Sequence, residues 1–140
     1  MQYTIDCATA EDLDLLDRIH RENMQRYVAQ VYPWNPTLFK DNFIPQDYRV
    51  IKDRHTIIGF IKVVEFETDI YLGELQIVSD RQNLGIGTSI IENSIAKAKL
   101  KRKRLWLKVI QGNPAERLYK RLGFIVFEES ATHKKMEIQF

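Results

Sequence analysis

The sequence predicts one mixed α/β domain over residues 1–140, with about six to seven strands and about four helices. Strand-like and helix-like stretches alternate along the chain, which is typical of this fold class. A length of 140 residues suits a single hydrophobic core. Hydrophobic residues make up 44% and charged residues 29%, as in ordinary soluble globular proteins. The sequence contains no internal repeat and no sign of a second domain.

Hydrophobic periodicity and capping signals place the elements in order. The predicted strands cover residues 2–6, 48–52, 57–66, 70–78, 105–110, 124–127 and 135–140. The predicted helices cover residues 9–29, a short stretch from about residue 37, residues 85–100 and residues 113–122. Thr9 and Asp12 resemble a helix-start box with Thr9 as the N-cap. Asn113 as N-cap, Pro114 at the first helical position and Gly123 after the last turn punctuate the final helix.

Charge and cysteine content exclude several function classes. The net charge of +2 is too small to support general nucleic-acid binding. Cys7 is the only cysteine, so neither an internal disulfide nor a cysteine-based zinc site can form. His20, His55 and His133 are scattered without ligand spacing, so we expect no metal. We expect a cytoplasmic protein without membrane association, because the sequence shows neither a signal-peptide pattern nor an apolar stretch of ~20 residues.

The most informative segment is a polar turn between a strand and a helix, with the pattern Gln82-x-x-Gly85-x-Gly87. Helix N-termini carry unpaired N–H groups and a partial positive charge, and glycine lets a ligand approach the backbone closely. These properties suit a phosphate group, although the same turn can also occur without a ligand. The P-loop pattern fails because Thr88 follows Gly87 without an intervening lysine. The Rossmann pattern fails because its third glycine is replaced by Ile90.

A second motif follows one strand later, at Asn113-Pro114-Ala115-Glu116-Arg117-Leu118-Tyr119-Lys120-Arg121-Leu122-Gly123-Phe124. The glycine turn resembles the pyrophosphate-binding signature of the GCN5-related N-acetyltransferases (GNAT), and the second motif resembles the C-terminal motif of the same family. The order of the two motifs agrees, and the resemblance is strongest from Tyr71 to Phe127. One departure is Gly112, which stands where many members have an asparagine, so that Asn113 follows the pattern of a common Asn-Pro variant.

The resemblance implies a strongly twisted mixed sheet whose fourth and fifth strands splay apart. The pantetheine arm of acetyl-CoA, the implied cosubstrate, would lie in the gap between them. The implied cofactor-binding residues are Gln76, Ile77 and Val78 along the pantetheine, Gln82, Asn83, Leu84, Gly85, Ile86, Gly87 and Thr88 around the pyrophosphate, and Asn113 and Tyr119 beside the pantetheine and its sulfur. Helix capping is the alternative role of Asn113, and both roles can hold together.

Acetyl transfer to an amine needs a proton acceptor for the amine and a proton donor for the departing thiolate. Tyr119 matches the family's thiolate-protonating tyrosine, with packing on the core as its alternative role. Backbone N–H groups of the fourth strand, near Leu75 to Val78, would polarise the carbonyl. Cys7 lies away from both motifs in the sequence, so we expect direct attack by the amine in a ternary complex without an acyl-enzyme.

Glu74 is the candidate base, because an acid is uncommon in mid-strand and the family often carries one on this strand. A salt-bridged strand residue is the alternative interpretation. Strand alternation predicts that Glu74 shares a face with Leu72, Gln76 and Val78. The weaker candidates for the base are Glu65 and Glu67.

The expected acceptor is a primary amine, preferably that of a small molecule. Relatives that acetylate the N-termini of ribosomal proteins usually carry a glutamate on the fifth strand, where residues 107–110 here read Leu-Lys-Val-Ile. Aromatic residues that either wall the acceptor site or pack as core are Tyr27, Tyr32, Trp34, Phe39 and Phe43. The alternatives are a protein N-terminal or lysine acetyltransferase, a non-catalytic CoA-binding sensor domain, and a plain phosphate- or nucleotide-binding domain. We expect a monomer or a homodimer.

Overall fold

The computed structural model describes residues 2–140 and contains a seven-stranded sheet. The strands are β1 (Thr4–Cys7), β2 (Tyr48–Asp53), β3 (Thr56–Glu65), β4 (Asp69–Ile77), β5 (Arg104–Ile110), β6 (Ile125–Glu129) and β7 (His133–Ile138). Their order across the sheet is β1-β2-β3-β4-β5-β7-β6. Among the described strands, β4 and β5 pair in parallel. All other neighbouring strands pair antiparallel. The mixed sheet and its strand number confirm the predicted fold class.

Helices cover both faces of the sheet. They are α1 (Leu13–Val28), α2 (Leu38–Asp41), α3 (Ile86–Lys101) and α4 (Ala115–Arg121). On the α1 face, Leu16 and Ile19 join Phe60 of β3 in a buried cluster. On the α3 face, Ile90 and Ile91 belong to a larger buried cluster that includes residues of β4 and β5. Removing this apolar surface from water stabilises the layers by roughly 25 cal/mol per Å².

The start of the first helix follows the predicted box. Thr9 N–H donates to Asp12 Oδ2 at 2.8 Å, and Asp12 N–H donates to the Thr9 carbonyl at 3.1 Å. The chain first makes a 3₁₀ turn over Ala10–Asp12, and α1 begins at Leu13. Thr9 is thus the N-cap of the 3₁₀ turn, whereas the N-cap of α1 itself is Asp12, and the helix ends at Val28, next to the predicted limit.

The last helix begins later than predicted. Pro114 occupies the N-cap position rather than the first helical position, and α4 begins at Ala115. Asn113 Oδ1 accepts the N–H of Ala115 at 3.0 Å, so the predicted side chain still satisfies a free amide of the first turn. At the other end, Gly123 has a φ of +107°, as expected for a glycine that follows the last turn.

A bulge at Gly73 interrupts β4. Lys62 of β3 pairs with Glu74, whereas the next residue, Val63, pairs with Leu72, so Gly73 is an extra residue without a partner of its own. Such an extra residue reverses the alternation of faces along a strand. The prediction that Glu74 shares a face with Leu72 is therefore wrong. Leu72 belongs to the core beneath α3, and Glu74 lies on the α1 face.

Cys7, the only cysteine, is an exposed free thiol on the edge strand β1. Within residues 2–140, no three His, Cys, Asp or Glu side chains lie close enough together to hold a metal ion. None of the helices that the structure describes has both the length and the apolar character required to cross a lipid bilayer.

Replacement of Gly59 on β3 tests the close contact between the central strands. A Cβ at Gly59 would clash with the main-chain carbonyl oxygen of Gln76 and lie 3.0 Å from Ile77 Cδ1. We expect Gly59→Ala to lower the free energy of unfolding by about 1–3 kcal/mol, measured by urea denaturation, because the backbone of β4 must move. Gly87→Ala is the control, since its Cβ would make only a 3.8 Å contact with Leu75. Equal stability of the two variants would contradict the prediction.

Candidate active site

The two central strands separate halfway along their length. β4 and β5 pair from Asp69 opposite Arg104 to Leu72 opposite Leu107 and no further. Beyond that point β4 remains paired with β3 and β5 with β7, but the two no longer pair with each other. The V-shaped gap between them opens into a cleft of about 1310 Å³. This separation agrees with the splayed fourth and fifth strands that the family resemblance implies.

The glycine turn lies at one end of this cleft and leads into α3. Asn83 and Gly85 both have left-handed backbones, with φ of +63° and +85°. The side chain of Gln82 ties the turn to β4, because its Nε2 donates to the Ile77 carbonyl at 2.9 Å. A Cβ at Gly85 would meet no atom within 4 Å, so the backbone there faces open space. The turn therefore presents its main chain to the cleft.

The start of α3 has the properties of an anion site. Its first helical hydrogen bond runs from Ser89 N–H to the Gly85 carbonyl, at 3.0 Å. The amides of Ile86, Gly87 and Thr88 therefore lie outside the helical hydrogen-bond ladder, at the end where the helix dipole is positive. All three residues line the cleft. An anionic ligand at this place would receive both N–H donors and a favourable field.

Most of the predicted cofactor-binding residues line the cleft. They are Gln76, Ile77, Gln82, Asn83, Gly85, Ile86, Gly87, Thr88, Asn113 and Tyr119. Two others lie elsewhere. Leu84 is exposed, whereas Val78 packs against both buried clusters. The main chain of Val78 is also occupied, since its N–H donates to Ile58 and its carbonyl accepts from Arg81.

A chain of hydrogen bonds joins β4 to α1. Gln76 Nε2 donates to Glu74 Oε2 at 2.7 Å, so these two side chains share a face as predicted. Asn23 Nδ2 of α1 lies within hydrogen-bond distance of both Gln76 Oε1, at 3.1 Å, and the Ile77 carbonyl, at 2.9 Å. The sequence interpretation missed Asn23 because its partners lie far away along the chain. The network fixes the orientation of the Glu74 carboxylate within the cleft.

His20 of α1 is the second residue that the sequence interpretation missed. Its Nδ1 lies 3.1 Å from Glu74 Oε1, and its ring stacks against Phe39 at 4.8 Å and Trp34 at 5.7 Å. Burial alone lowers the pKa of His20, but the negative charges of Glu74 and Asp17 raise it, and the net pKa lies above its usual value. The available signal was that polar residues recur with helical spacing on α1, on the side that faces β4.

Tyr119 lies on α4 and lines the cleft. Its ring packs edge-on against Phe124, with centroids 5.8 Å apart, so the core-packing role considered above is present. Burial, with a smaller contribution from the Glu74 carboxylate, raises the pKa of Tyr119 to about 12. The hydroxyl therefore carries its proton at neutral pH.

The other carboxylates considered as bases lie outside the cleft. Glu65, at the end of β3, pairs with Lys101 at 2.7 Å and with Lys103 at 2.6 Å. These hydrogen bonds lower the pKa of Glu65 to about 2, so it is a poor proton acceptor. Glu67 is exposed in the turn that follows. Glu74 is thus the one of the three candidates that lines the cleft.

Charged side chains are distributed unevenly along the cleft. Arg81 lies beside the glycine turn, and Arg117 and Arg121 line the cleft from α4. On the other side, the lining includes Glu74 of β4 and Asp17 of α1. An anionic ligand is thus favoured near the turn and α4, whereas the charges of Glu74 and Asp17 are partly balanced by Lys62 and Arg26, which also line the cleft.

Four of the five predicted aromatic residues line the opposite end of the cleft, namely Tyr27, Tyr32, Trp34 and Phe39. Phe43, the fifth, packs in the core beneath them, with its ring 4.8 Å from that of Tyr48. Tyr32, in the loop after α1, stacks on His133 at the start of β7, with centroids 6.3 Å apart. Both of these residues line the cleft.

The comparisons with known proteins agree with this geometry. The model of the acetyltransferase (GNAT) domain family matches residues 45–126. One similar solved structure is the PaiA N-acetyltransferase from Thermoplasma acidophilum in complex with coenzyme A, with a TM-score of 0.81, 19% identity and 100% coverage of both chains. Another is an acetyltransferase from Thermus thermophilus, with a TM-score of 0.76, 20% identity, and coverage of 100% of this chain and 98% of that one.

A third similar structure is Arabidopsis thaliana NAA60 in complex with a bisubstrate analogue, with a TM-score of 0.70 and 20% identity. The match covers 99% of this chain and 98% of that one. No curated protein sequence matches the chain. At these identities the likeness to solved structures concerns the fold, whereas the family model covers more than half of the sequence. The chain therefore belongs to the GNAT acetyltransferase family.

Proposed function

We propose that the protein transfers the acetyl group of acetyl-CoA to a primary amine. The observation that carries the proposal is the single cleft that joins the anion-binding turn, the gap between β4 and β5, and the side chains of Glu74 and Tyr119. Similar structures in complex with coenzyme A or acetyl-CoA support this choice of cosubstrate. We place this activity in the cytoplasm, where a lone cysteine such as Cys7 stays reduced.

The cofactor would be held by main-chain groups at two places. The amides at the start of α3 would bind the pyrophosphate, with Gln82 to Thr88 forming its cradle. The edge of β4 that no longer pairs with β5, at Gln76 and Ile77, would pair with the pantetheine arm as an added strand does, and the arm would share or replace the side chains of Asn23 and Gln82 at the Ile77 carbonyl. Asn113 would contact the same arm while it caps α4. Val78 contributes less to this proposal, because its main chain already has partners.

The chemistry follows from the two side chains in the cleft. An aliphatic amine has a pKa of about 10.4 and must lose a proton before it attacks the acetyl carbonyl. Glu74 would receive that proton, directly or through a water molecule. The C–N bond forms as the C–S bond breaks, and Tyr119 would give its hydroxyl proton to the thiolate. The exposed position of Cys7 on β1 favours this direct transfer over an acyl-enzyme.

A small amine is our preferred acceptor. If the acceptor enters at the aromatic end, the contact between the lining residues Tyr32 and His133 would bridge the cleft there and leave less room for an extended polypeptide. The segment 107–110 of β5 also lacks the glutamate that relatives acting on ribosomal protein N-termini usually carry. Two carboxylates of the cleft, Asp17 and Glu74, would attract a cationic amine in competition with the lining charges of Arg26 and Lys62.

Replacement of Gly85 tests the cofactor site. We expect Gly85→Glu to raise the Kd for acetyl-CoA by at least about 100-fold, or about 2.7 kcal/mol, measured by calorimetry. The introduced carboxylate repels the pyrophosphate, and its backbone must adopt a φ of +85°. Gly85→Asn is the control, because asparagine tolerates the left-handed conformation and adds no charge. Wild-type affinity in Gly85→Glu would show that the turn does not bind the cofactor.

Replacement of Tyr119 tests the proton donor. We expect Tyr119→Phe to lower kcat by about 100-fold while the KM for acetyl-CoA stays the same, because the ring that packs on Phe124 remains. The Tyr119 hydroxyl has a pKa of about 12 and stays protonated at lower pH. Deprotonation of Tyr119 should therefore lower activity only when the pH rises through about 12. An unchanged urea denaturation midpoint of Tyr119→Phe is the control that its fold is intact. An unchanged kcat in Tyr119→Phe would remove this residue from the mechanism.

An acceptor panel tests the substrate class. CoA release should be measured with small primary amines, with peptides that have free N-termini, and with lysine-containing peptides. We expect turnover with small amines and little with peptides, because of the bridged cleft. Preferential turnover of peptides would instead support a protein acetyltransferase. Tight CoA binding without turnover on any acceptor would support a sensor, and equal affinity for CoA and ATP would support a general nucleotide-binding domain.

A further inference from the structure

We infer that His20 and Glu74 form one proton-accepting pair, in which the imidazole of His20 holds the proton that leaves the acceptor amine. The inference rests on the proposed function and adds a positioning residue to it. The two residues come from separate layers of the fold, α1 and β4, and meet inside the cleft. Nδ1 of His20 lies 3.1 Å from Oε1 of Glu74, which is ion-pair distance; Nδ1 has no aligned hydrogen-bond partner among the described residues, so a rotation of either side chain would align the two atoms for proton transfer.

Each oxygen of the Glu74 carboxylate has its own neighbour. Oε1 lies against His20 Nδ1, and Oε2 accepts the Gln76 amide at 2.7 Å. Gln76 is in turn held by Asn23, on the same helix as His20. Because Gln76 and Asn23 bear no charge, they orient the carboxylate without competing for a proton. His20 is the neighbour of Glu74 that can accept one.

The surroundings of His20 favour exchange with Glu74 rather than with bulk water. Its Nδ1 is buried, and the rings of Trp34 and Phe39 lie on the imidazole. These neighbours from α2 and the loop before it are uncharged. The negative groups that face His20 are Glu74 from β4 and Asp17 from α1. They offset the cost of burying an imidazolium.

The nearest cation on the adjoining strand does not replace His20. Lys62 of β3 pairs across the sheet with Glu74, but its Nζ lies over the ring of Tyr48, 5.8 Å from the centroid. Tyr48, Tyr71 and Tyr119 also feel the charge of Glu74, and burial together with that charge raises the pKa of each, so all three stay neutral. The protonation state of the pair is thus set by His20 and Glu74.

With this pair, each proton that the amine nitrogen loses in the reaction has an acceptor. In the reactive state His20 is neutral and Glu74 is ionised, giving the pair a charge of −1. The bound ammonium gives one proton through the carboxylate to His20, and the nitrogen lone pair forms the C–N bond as the C–S bond breaks. Tyr119 protonates the thiolate, and the second proton that the nitrogen loses restores the Tyr119 hydroxyl. After product release, His20 returns its proton to solvent.

The pair predicts how activity depends on pH. Because the net pKa of His20 is raised, the proton-accepting state forms only as pH rises through a value above 6.5. The kcat/KM should therefore rise through the neutral range, which is where a general base is most effective. A carboxylate acting alone would instead give a rise near its reference pKa of about 4.3.

The first experiment compares pH profiles of kcat/KM for wild type, His20→Gln and His55→Gln. His55 is a matched control, because it lies exposed in the β2–β3 turn. We expect His20→Gln to lower kcat/KM at neutral pH by about 10–100-fold and to move the rising limb to lower pH. The KM for acetyl-CoA and the His55→Gln profile should match wild type. A wild-type rising limb in His20→Gln would overturn the pairing.

The second experiment needs no turnover. The imidazole of His20 is titrated by NMR in wild type and in Glu74→Gln, with its signal identified by its loss in His20→Gln. We expect the His20 pKa to fall in Glu74→Gln, because the carboxylate that raises it is gone. An unchanged titration would overturn the pairing even in an active enzyme. Failure of wild type to release CoA with any amine would instead overturn the proposed function.

Discussion

The incomplete pairing of β4 with β5 is the constraint on which the rest of the site depends. A buried sheet normally satisfies its main-chain groups by pairing on both sides, and separation of two central strands leaves such groups without a strand partner. Here side chains take over part of that role, since Asn23 and Gln82 both donate to the Ile77 carbonyl. The remaining open edge is the natural place for an extended ligand. The main-chain groups that lose their strand partner at the gap are thus the groups that an extended ligand could pair with.

One strand connects the two ends of the cleft. β4 carries Glu74 in its middle and leads directly into the turn at which α3 begins. The turn supplies free amides and a positive helix end, whereas the middle of the strand supplies a carboxylate. An acyl donor held by phosphate at one end and an amine attracted to the carboxylate at the other would therefore meet along the same strand. The pairing of β4 with β3 along its length holds Glu74 and the glycine turn at a fixed distance from each other.

The bulge at Gly73 decides on which side of the sheet Glu74 lies. Without the extra residue, regular alternation would place Glu74 on the face of Leu72, in the core beneath α3. The bulge moves it to the α1 face, where His20 lies 3.1 Å away. A one-residue irregularity thus creates the contact between α1 and β4 on which the proton-accepting pair depends. Bulges are common beside active sites because they redirect side chains in this way.

The order of strands and helices and the two motifs follow from local patterns that a sequence displays, whereas the candidate roles of Tyr119 and Glu74 rest on the family resemblance, and Glu74 reaches the cleft only through the bulge at Gly73. Capping residues, glycine punctuation and hydrophobic periodicity act over a few residues, so they locate most element ends to within one or two positions; α1 is the exception, since a 3₁₀ turn precedes its start at Leu13. The partners of Asn23 and His20 lie more than 50 residues away, on a different layer. The contacts that Asn23 and His20 make with β4 cannot be predicted from neighbouring residues in the sequence, and the same holds for the reversal of faces at Gly73. Only the tertiary structure decides them, because both arise from how α1 and β3 pack against β4.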